Sequence, residues 1–235
     1  MSELSRSATL RALISRSALA LGAARAVAEG GRGIADLRRD AWGHGLLGVA
    51  QAAAAAGAAA VRVDGRAEAE TLALEGIVAT VDEEPDLDPL LLYGLPDASG
   101  ALRGDPVMRA VGRVLSTKEI AAGGGVSYGY TYRAATDSRL ALVTGGYAQG
   151  LVRALGNRAE VEIRGRRHPI VGRIAMDVCV AEIGDAEITL GDEAVYFGGH
   201  GPAAPALAAW AGITGMSIAE LVAVIGQKAE RSWES

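Results

Sequence analysis

Val171-Gly172-Arg173-Ile174-Ala175-Met176-Asp177 closes one strand and leads into Val178–Ile183, where apolar and polar residues alternate. Alternation with period two marks a strand with one buried face. The same pattern recurs upstream in Val107–Leu115, Arg139–Thr144 and Glu160–Ile163. Turn signals separate these runs: Gly123-Gly124-Gly125, Gly156-Asn157, Arg164-Gly165 and Gly184-Asp185. Short alternating strands between such turns predict a small antiparallel barrel or sandwich. Ser217–Glu230 predicts a terminal helix.

Residues 1–105 read differently. Leu10–Glu29 spaces its apolar residues as a helix, with Ser7 available as N-cap, and Gly30–Gly33 breaks it. Ile34–Leu37 predicts a short strand, and Leu46–Ala56 an Ala-rich helix ended by Gly57. Ala58–Val63 predicts a strand and Glu68–Leu74 a helix closed by Gly76. An acidic, Pro-containing stretch, Asp82–Asp88, follows, and the apolar run Pro89–Tyr93 predicts another strand. Strand alternating with helix points to parallel β/α units. The chain therefore divides into two parts, 1–105 and 106–235, and the expected class is α+β and multidomain: a partial β/α-barrel segment followed by a small antiparallel β-barrel domain.

Composition narrows the function. Half of the 235 residues are apolar, so the chain can bury a core, while only 4% are aromatic. Net charge is −5, which disfavours a sequence-independent nucleic-acid binder. Residues 1–105 carry 10 cations against 15 anions, and residues 106–235 carry 13 of each. The cations are 21 Arg and two Lys, Lys118 and Lys228, so amine chemistry has few candidates. A single cysteine, Cys179, rules out an internal disulfide framework and fits a reducing, cytoplasmic setting. No apolar run is long enough for a membrane span; Arg11, Arg16 and Arg25 interrupt the stretch from Leu10 to Ala28, which reads as an amphipathic helix in preference to a signal peptide. His44 reads as a structural loop residue, His168 as a hairpin surface residue and His200 as part of a Gly-rich turn. No metal site is expected.

Val126-Ser127-Tyr128-Gly129, Gly146-Tyr147-Ala148 and Val171–Asp177, in that order and spacing, resemble the C-terminal domain of alanine racemases. This likeness covers nearly all of 106–200. Three more segments resemble the barrel domain of the same family: Asp40-Ala41-Trp42-Gly43-His44-Gly45 its lysine loop, Pro89–Leu95 its last barrel strand, and Glu220–Trp233 its closing segment. The resemblance implies a dimer, a small amino-acid substrate and pyridoxal 5'-phosphate held in an α/β barrel. A barrel lysine would form the Schiff base, and a tyrosine from the partner's C-terminal domain would reach the opposite face. Racemisation needs a proton carrier on each face, here an amine and a phenol.

On this resemblance Tyr128 stands at the position of the tyrosine base; alone, a Tyr beside a Gly-rich turn reads as a packing residue with a wet hydroxyl. Met176 matches a residue whose backbone contacts the substrate carboxylate, or is a strand-end core Met. Asp177 positions that loop or caps a turn. Tyr147 matches a tyrosine lining the entry, or is an ordinary half-buried strand aromatic.

The departures lie in the first part. Arg38 occupies the lysine position, two residues before Asp40, and a guanidinium cannot form the imine. Lys118, in the strand before the Gly-rich turn, reads as a solvated residue. Trp42 and Ala219 replace two family tyrosines on the phosphate side, and Leu87, Asp88 and Pro89 stand where the resemblance puts an Arg-Pro-Gly run, whose Arg would face the pyridine nitrogen and whose Gly amide would meet the phosphate; Asp88 would bring a negative charge near that phosphate. A complete (β/α)₈ barrel takes at least ~200 residues, so roughly half a barrel is expected. These features together predict a racemase-like protein in which pyridoxal phosphate binding and activity are impaired. The alternatives are an active alanine racemase, or a non-catalytic dimerisation partner of a full-length racemase. The expected partners are a second copy or such a racemase, with no nucleic acid and no membrane.

Overall fold

The structure, a computed structural model, describes residues 9–127 and 129–235; Ser7 and Tyr128 lie outside the described residues. The chain opens with β1 (Arg11–Ser15) and α1 (Arg16–Glu29). This corrects the single helix expected from Leu10. Ala12, Leu13 and Ile14 are all buried, so β1 is covered on both faces and lacks strand alternation. The helix starts where Ser15 accepts a hydrogen bond from the Ala18 amide.

A parallel sheet of three strands follows: β2 (Ile34–Asp36), β3 (Ala60–Arg62) and β4 (Ala79–Thr80), in that order. The crossovers contain α2 (Arg38–Trp42) with α3 (Leu46–Ala55), then α4 (Arg66–Leu74). These are the expected β/α units of a partial barrel. Pro89–Tyr93 is a helical turn, α5, where a strand was expected. Its ends explain this. The Asp88 carboxylate accepts from the Leu90 amide, Pro89 sits at the first turn, and Gly94 closes the helix at φ 61°.

The second part is β-rich. Its long strand β5 (Met108–Ile120) is followed by the hairpin of β6 (Gly125–Val126) with β7 (Tyr132–Arg133), and then by β8 (Ser138–Thr144). Next come β9 (Glu160–Ile163), β10 (Arg166–Pro169), β11 (Val178–Glu182) and β12 (Glu193–Phe197). Two helices, α6 (Ala206–Thr214) and α7 (Ile218–Lys228), precede β13 (Glu230–Glu234). β5 bends at a register shift between Val114 and Ser116. Its first half pairs with β1 and β12, its second half with β8, which in turn pairs with β11. β1 lies between β5, antiparallel, and β13, parallel. The first part thus contributes a strand to the main sheet of the second, and one continuous apolar core spans both.

His168, expected on a hairpin surface, is 6% exposed. It faces inward on β10 opposite Val161, while its neighbour Arg167 points out. Among the described residues no single helix is long and apolar enough to cross a membrane.

Candidate functional site

The residues singled out by sequence gather in two clusters, one on each side of α7.

The first surrounds α2. Arg39, Asp40, Ala41 and Trp42 all have φ between 53° and 57°, a left-handed turn of four non-glycine residues. Such a turn costs roughly 1–2 kcal/mol per residue, so its surroundings must hold it. Asp40 does much of this: one carboxylate oxygen accepts from the Leu46 amide at 2.7 Å and the other pairs with Arg231 at 2.5 Å. Arg231 also donates to the Gly43 carbonyl at 2.9 Å, and the Arg39 amide donates to Asp64. Gly43 packs directly on α7: a Cβ at Gly226 would stand 2.2 Å from the Gly43 carbonyl oxygen.

Arg38, at the head of this turn, is held by Asp36. Nε donates to Oδ1 at 2.8 Å and Nη2 to Oδ2 at 2.9 Å, a fork-to-fork pair. Burial works to raise the Asp36 carboxyl, but the guanidinium and amide of Arg38 outweigh it and leave the group below the usual aspartate range. Asp36 was not among the residues picked from the sequence. Its signal was available, because residues i and i+2 on an extended segment share a face.

Tyr93 forms the floor. Its hydroxyl donates to the Asp36 carbonyl at 2.9 Å, and its ring stacks with Trp42 (5.3 Å between centroids) and His44 (4.4 Å). His44 is a buried structural residue, as read from the sequence, with Nδ1 3.0 Å from the Ala41 carbonyl. Ala219 is the second residue of α7, seven residues from Gly226 and so roughly 10 Å along the helix. It presents no hydroxyl.

The second cluster is built from loops. The Tyr147–Gln149 3₁₀ turn packs on Met176: the Tyr147 amide donates to the Ala175 carbonyl at 2.9 Å and the Ala148 amide to the Met176 carbonyl at 3.0 Å. The Gly145 amide donates to the Asp177 carbonyl at 2.9 Å. Gly146 allows this contact, since a Cβ there would stand 2.1 Å from the Met176 oxygen. Met176 is 54% exposed, so it is no core methionine, and Tyr147 is 40% exposed on a turn, not on a strand. The guanidinium of Arg153 lies over the Tyr147 ring at 4.9 Å. Asp177 is exposed.

The hairpin carrying position 128 joins this cluster. Ser127 Oγ accepts from the Arg173 amide at 2.7 Å, and Asn157 bridges Thr131 and the Gly172 amide. The structure thus unites the three motifs of the second part: Ser127 and Gly129 stand against Gly172 and Arg173, and Tyr147 against Met176 and Asp177. Tyr132, on the same hairpin, donates to Glu182 at 2.6 Å, and this bond pushes its phenol up to about 12. Lys118 is exposed on β5.

The first cluster does not fit pyridoxal phosphate. The residue that the resemblance puts at the lysine position, Arg38, is a guanidinium already forked onto Asp36. On the ledge that should face a phosphate, Pro89 has no amide hydrogen, and the next amide, Leu90, is bonded to Asp88.

Comparison with known proteins gives a consistent picture. The family described as Alanine racemase, C-terminal domain, matches residues 107–233, more than half of the chain. The alanine racemase of Salinispora arenicola is 40% identical over 147 residues, which cover 62% of this chain and 40% of that protein. The alanine racemase of Mycolicibacterium vanbaalenii is 45% identical over 115 residues, 46% of this chain and 30% of that protein. The chain thus spans about two fifths or less of the length of these relatives. The crystal structure of the alanine racemase from D-cycloserine-producing Streptomyces lavendulae superposes with a TM-score of 0.83 at 20% identity, covering 97% of each chain. That from Bartonella henselae, with covalently bound pyridoxal phosphate, gives 0.74 at 18% identity, covering 97% of this chain and 100% of that one. At these identities the superpositions speak for the fold.

Proposed function

The chain belongs to the alanine racemase family, and on that premise we propose that it is a non-catalytic member, which does not interconvert L- and D-alanine by itself and acts as an association partner, of a second copy or of a full-length racemase. The observation that carries this reading is the Asp36–Arg38 fork, at the residue that the resemblance puts at the Schiff-base position. An amine there could condense with an aldehyde. A guanidinium neutralised by a carboxylate cannot. The second cluster supports the partner role: Tyr147 and Met176 stand exposed on loops fixed by backbone hydrogen bonds. In this reading Tyr128 is the residue lent to the partner's site, with Met176, Tyr147 and Asp177 around it. Arg38, Trp42 and Ala219 mark the disabled cofactor side.

The test is D-alanine formation from L-alanine by the purified chain with added pyridoxal phosphate, set against a blank of cofactor alone. The expected rate equals the blank. Mixed with a full-length racemase, the chain should elute in a joint species and change the rate, and Tyr128→Phe should alter the mixture only. Turnover by the chain alone overturns the reading.

A further inference from the structure

The segment after β4 does not go on to a further parallel strand of that sheet. The chain leaves Thr80, whose hydroxyl accepts from the amides of Asp82 and Glu83 at 3.2 Å each, and returns to the start of β2. On the way the Glu83 carboxylate pairs with Arg32 at 3.1 Å, and the Glu84 carbonyl accepts from the same guanidinium at 3.1 Å. Asp86 accepts from the amides of Arg32 and Ile34, while the amides of Asp86 and Leu87 donate to the Ile34 carbonyl at 3.0 and 3.1 Å. The strap therefore satisfies the opening residue of β2 on both its amide and its carbonyl. Leu87 then enters the core against Gly30, and Asp88 caps α5 and pairs with Arg103 at 3.6 Å.

This route runs through the positions where the resemblance would seat a phosphate. Position 87 brings a buried leucine where the resemblance puts a cation facing the ring nitrogen. Position 89 offers no N–H. The Leu90 amide, the next donor, already serves the Asp88 carboxylate at 2.8 Å. An incoming phosphate would meet the Asp88 carboxylate, which holds both the Leu90 amide and the Arg103 guanidinium.

We infer that Asp88, set by the strap Asp82–Asp88, is a built-in stand-in for the cofactor's phosphate, so that this chain excludes pyridoxal phosphate even when a lysine is placed at position 38. The inference rests on the family assignment and is independent of the partner role.

The wild type, Arg38→Lys and the triple variant Arg38→Lys/Asp88→Gly/Pro89→Gly are each titrated with pyridoxamine phosphate, which carries the ring and phosphate but cannot form an imine. Each is also treated with pyridoxal phosphate and borohydride, and its peptides are weighed. The expected result is no saturable binding by the wild type and no stoichiometric adduct at position 38 in Arg38→Lys, with pyridoxamine phosphate binding gained about tenfold or more in the triple variant. Saturable binding by the wild type overturns the inference without any variant having to fold. An adduct at position 38 in Arg38→Lys overturns it, as does equal binding by Arg38→Lys and a triple variant whose melting curve shows it folded. Cofactor binding without turnover removes this inference alone, whereas wild-type turnover removes the non-catalytic reading.

Discussion

Burial makes His44 costly to charge. It is fully buried, stacked on Tyr93, with Nδ1 against the Ala41 carbonyl and Nε2 without a partner among the described residues. Burial pushes its value down from 6.5 to about 4. The folded value lies below the unfolded one, so protons favour the unfolded chain. The stability it contributes is whole above pH 6.5 and is lost as pH falls toward 4. At about 1.4 kcal/mol per unit the loss approaches about 3 kcal/mol. His44→Phe keeps a stacked ring and removes the titration, so urea unfolding between pH 7 and pH 4 should lose most of its slope; an unchanged slope counts against the assignment. Asp36 and Asp86 act lower on the scale. Both are held below the usual aspartate range, Asp36 by Arg38 and Asp86 first by the Ile34 amide, so their contributions stand above about pH 4 and are lost only below it. Asp36→Asn should cost about 1–2 kcal/mol in the same assay by breaking the fork onto Arg38. At this scale the sequence exposed what spacing can carry. Arg38 follows from its distance to Asp40, whereas the burial of His168 depends on which face of β10 meets the core.

Elements that end on side-chain chemistry were legible only where the cap outweighed the run it closed. Five apolar-rich residues, Pro89–Tyr93, satisfy a strand pattern, yet Asp88, Pro89 and Gly94 are the start and stop signals of a helix. Asp88→Ala should therefore cost about 1 kcal/mol, read from chemical denaturation. β1 was missed for the opposite reason: a strand covered on both faces has no polar alternation, and its apolar residues merge with those of α1. The left-handed turn left no pattern either. It exists because Asp40, Arg231 and the bare surface of Gly226 over-determine it, and these lie far apart in sequence. Gly226→Ala would drive a methyl group into the Gly43 carbonyl, forcing α7 off the turn. A loss of about 3 kcal/mol is expected, with the Trp42 fluorescence environment altered before global unfolding; wild-type stability in this variant would mean that α7 has slack the packing denies.

At the scale of the molecule, the charge asymmetry near residue 105 and the switch from β/α to β patterning made the two parts visible. Their interlocking was not, because Arg11–Ile14 pairs with Met108–Val111, roughly a hundred residues on, and Arg11–Ser15 with Glu230–Glu234, roughly 220 residues on, and neither pairing has a local signature. That pairing makes a firm demand on folding. Without β1, the first half of β5 loses an antiparallel partner and β13 loses the strand it pairs with, which exposes unpaired backbone beside Met108, Ala110 and Val111, all of them core residues. The two parts also share one apolar core. The chain should accordingly unfold in a single cooperative step, with far-ultraviolet and near-ultraviolet signals coincident and calorimetric and van't Hoff enthalpies equal. A fragment of residues 106–235 should be expanded or aggregated on its own and should recover a sharp transition only when residues 9–105 are supplied. Two resolved transitions in the intact chain, or a cooperative melt of the isolated fragment, would mean that β1 is an accessory to the sheet; a single transition means that the half-barrel persists because its first strand is built into the other domain.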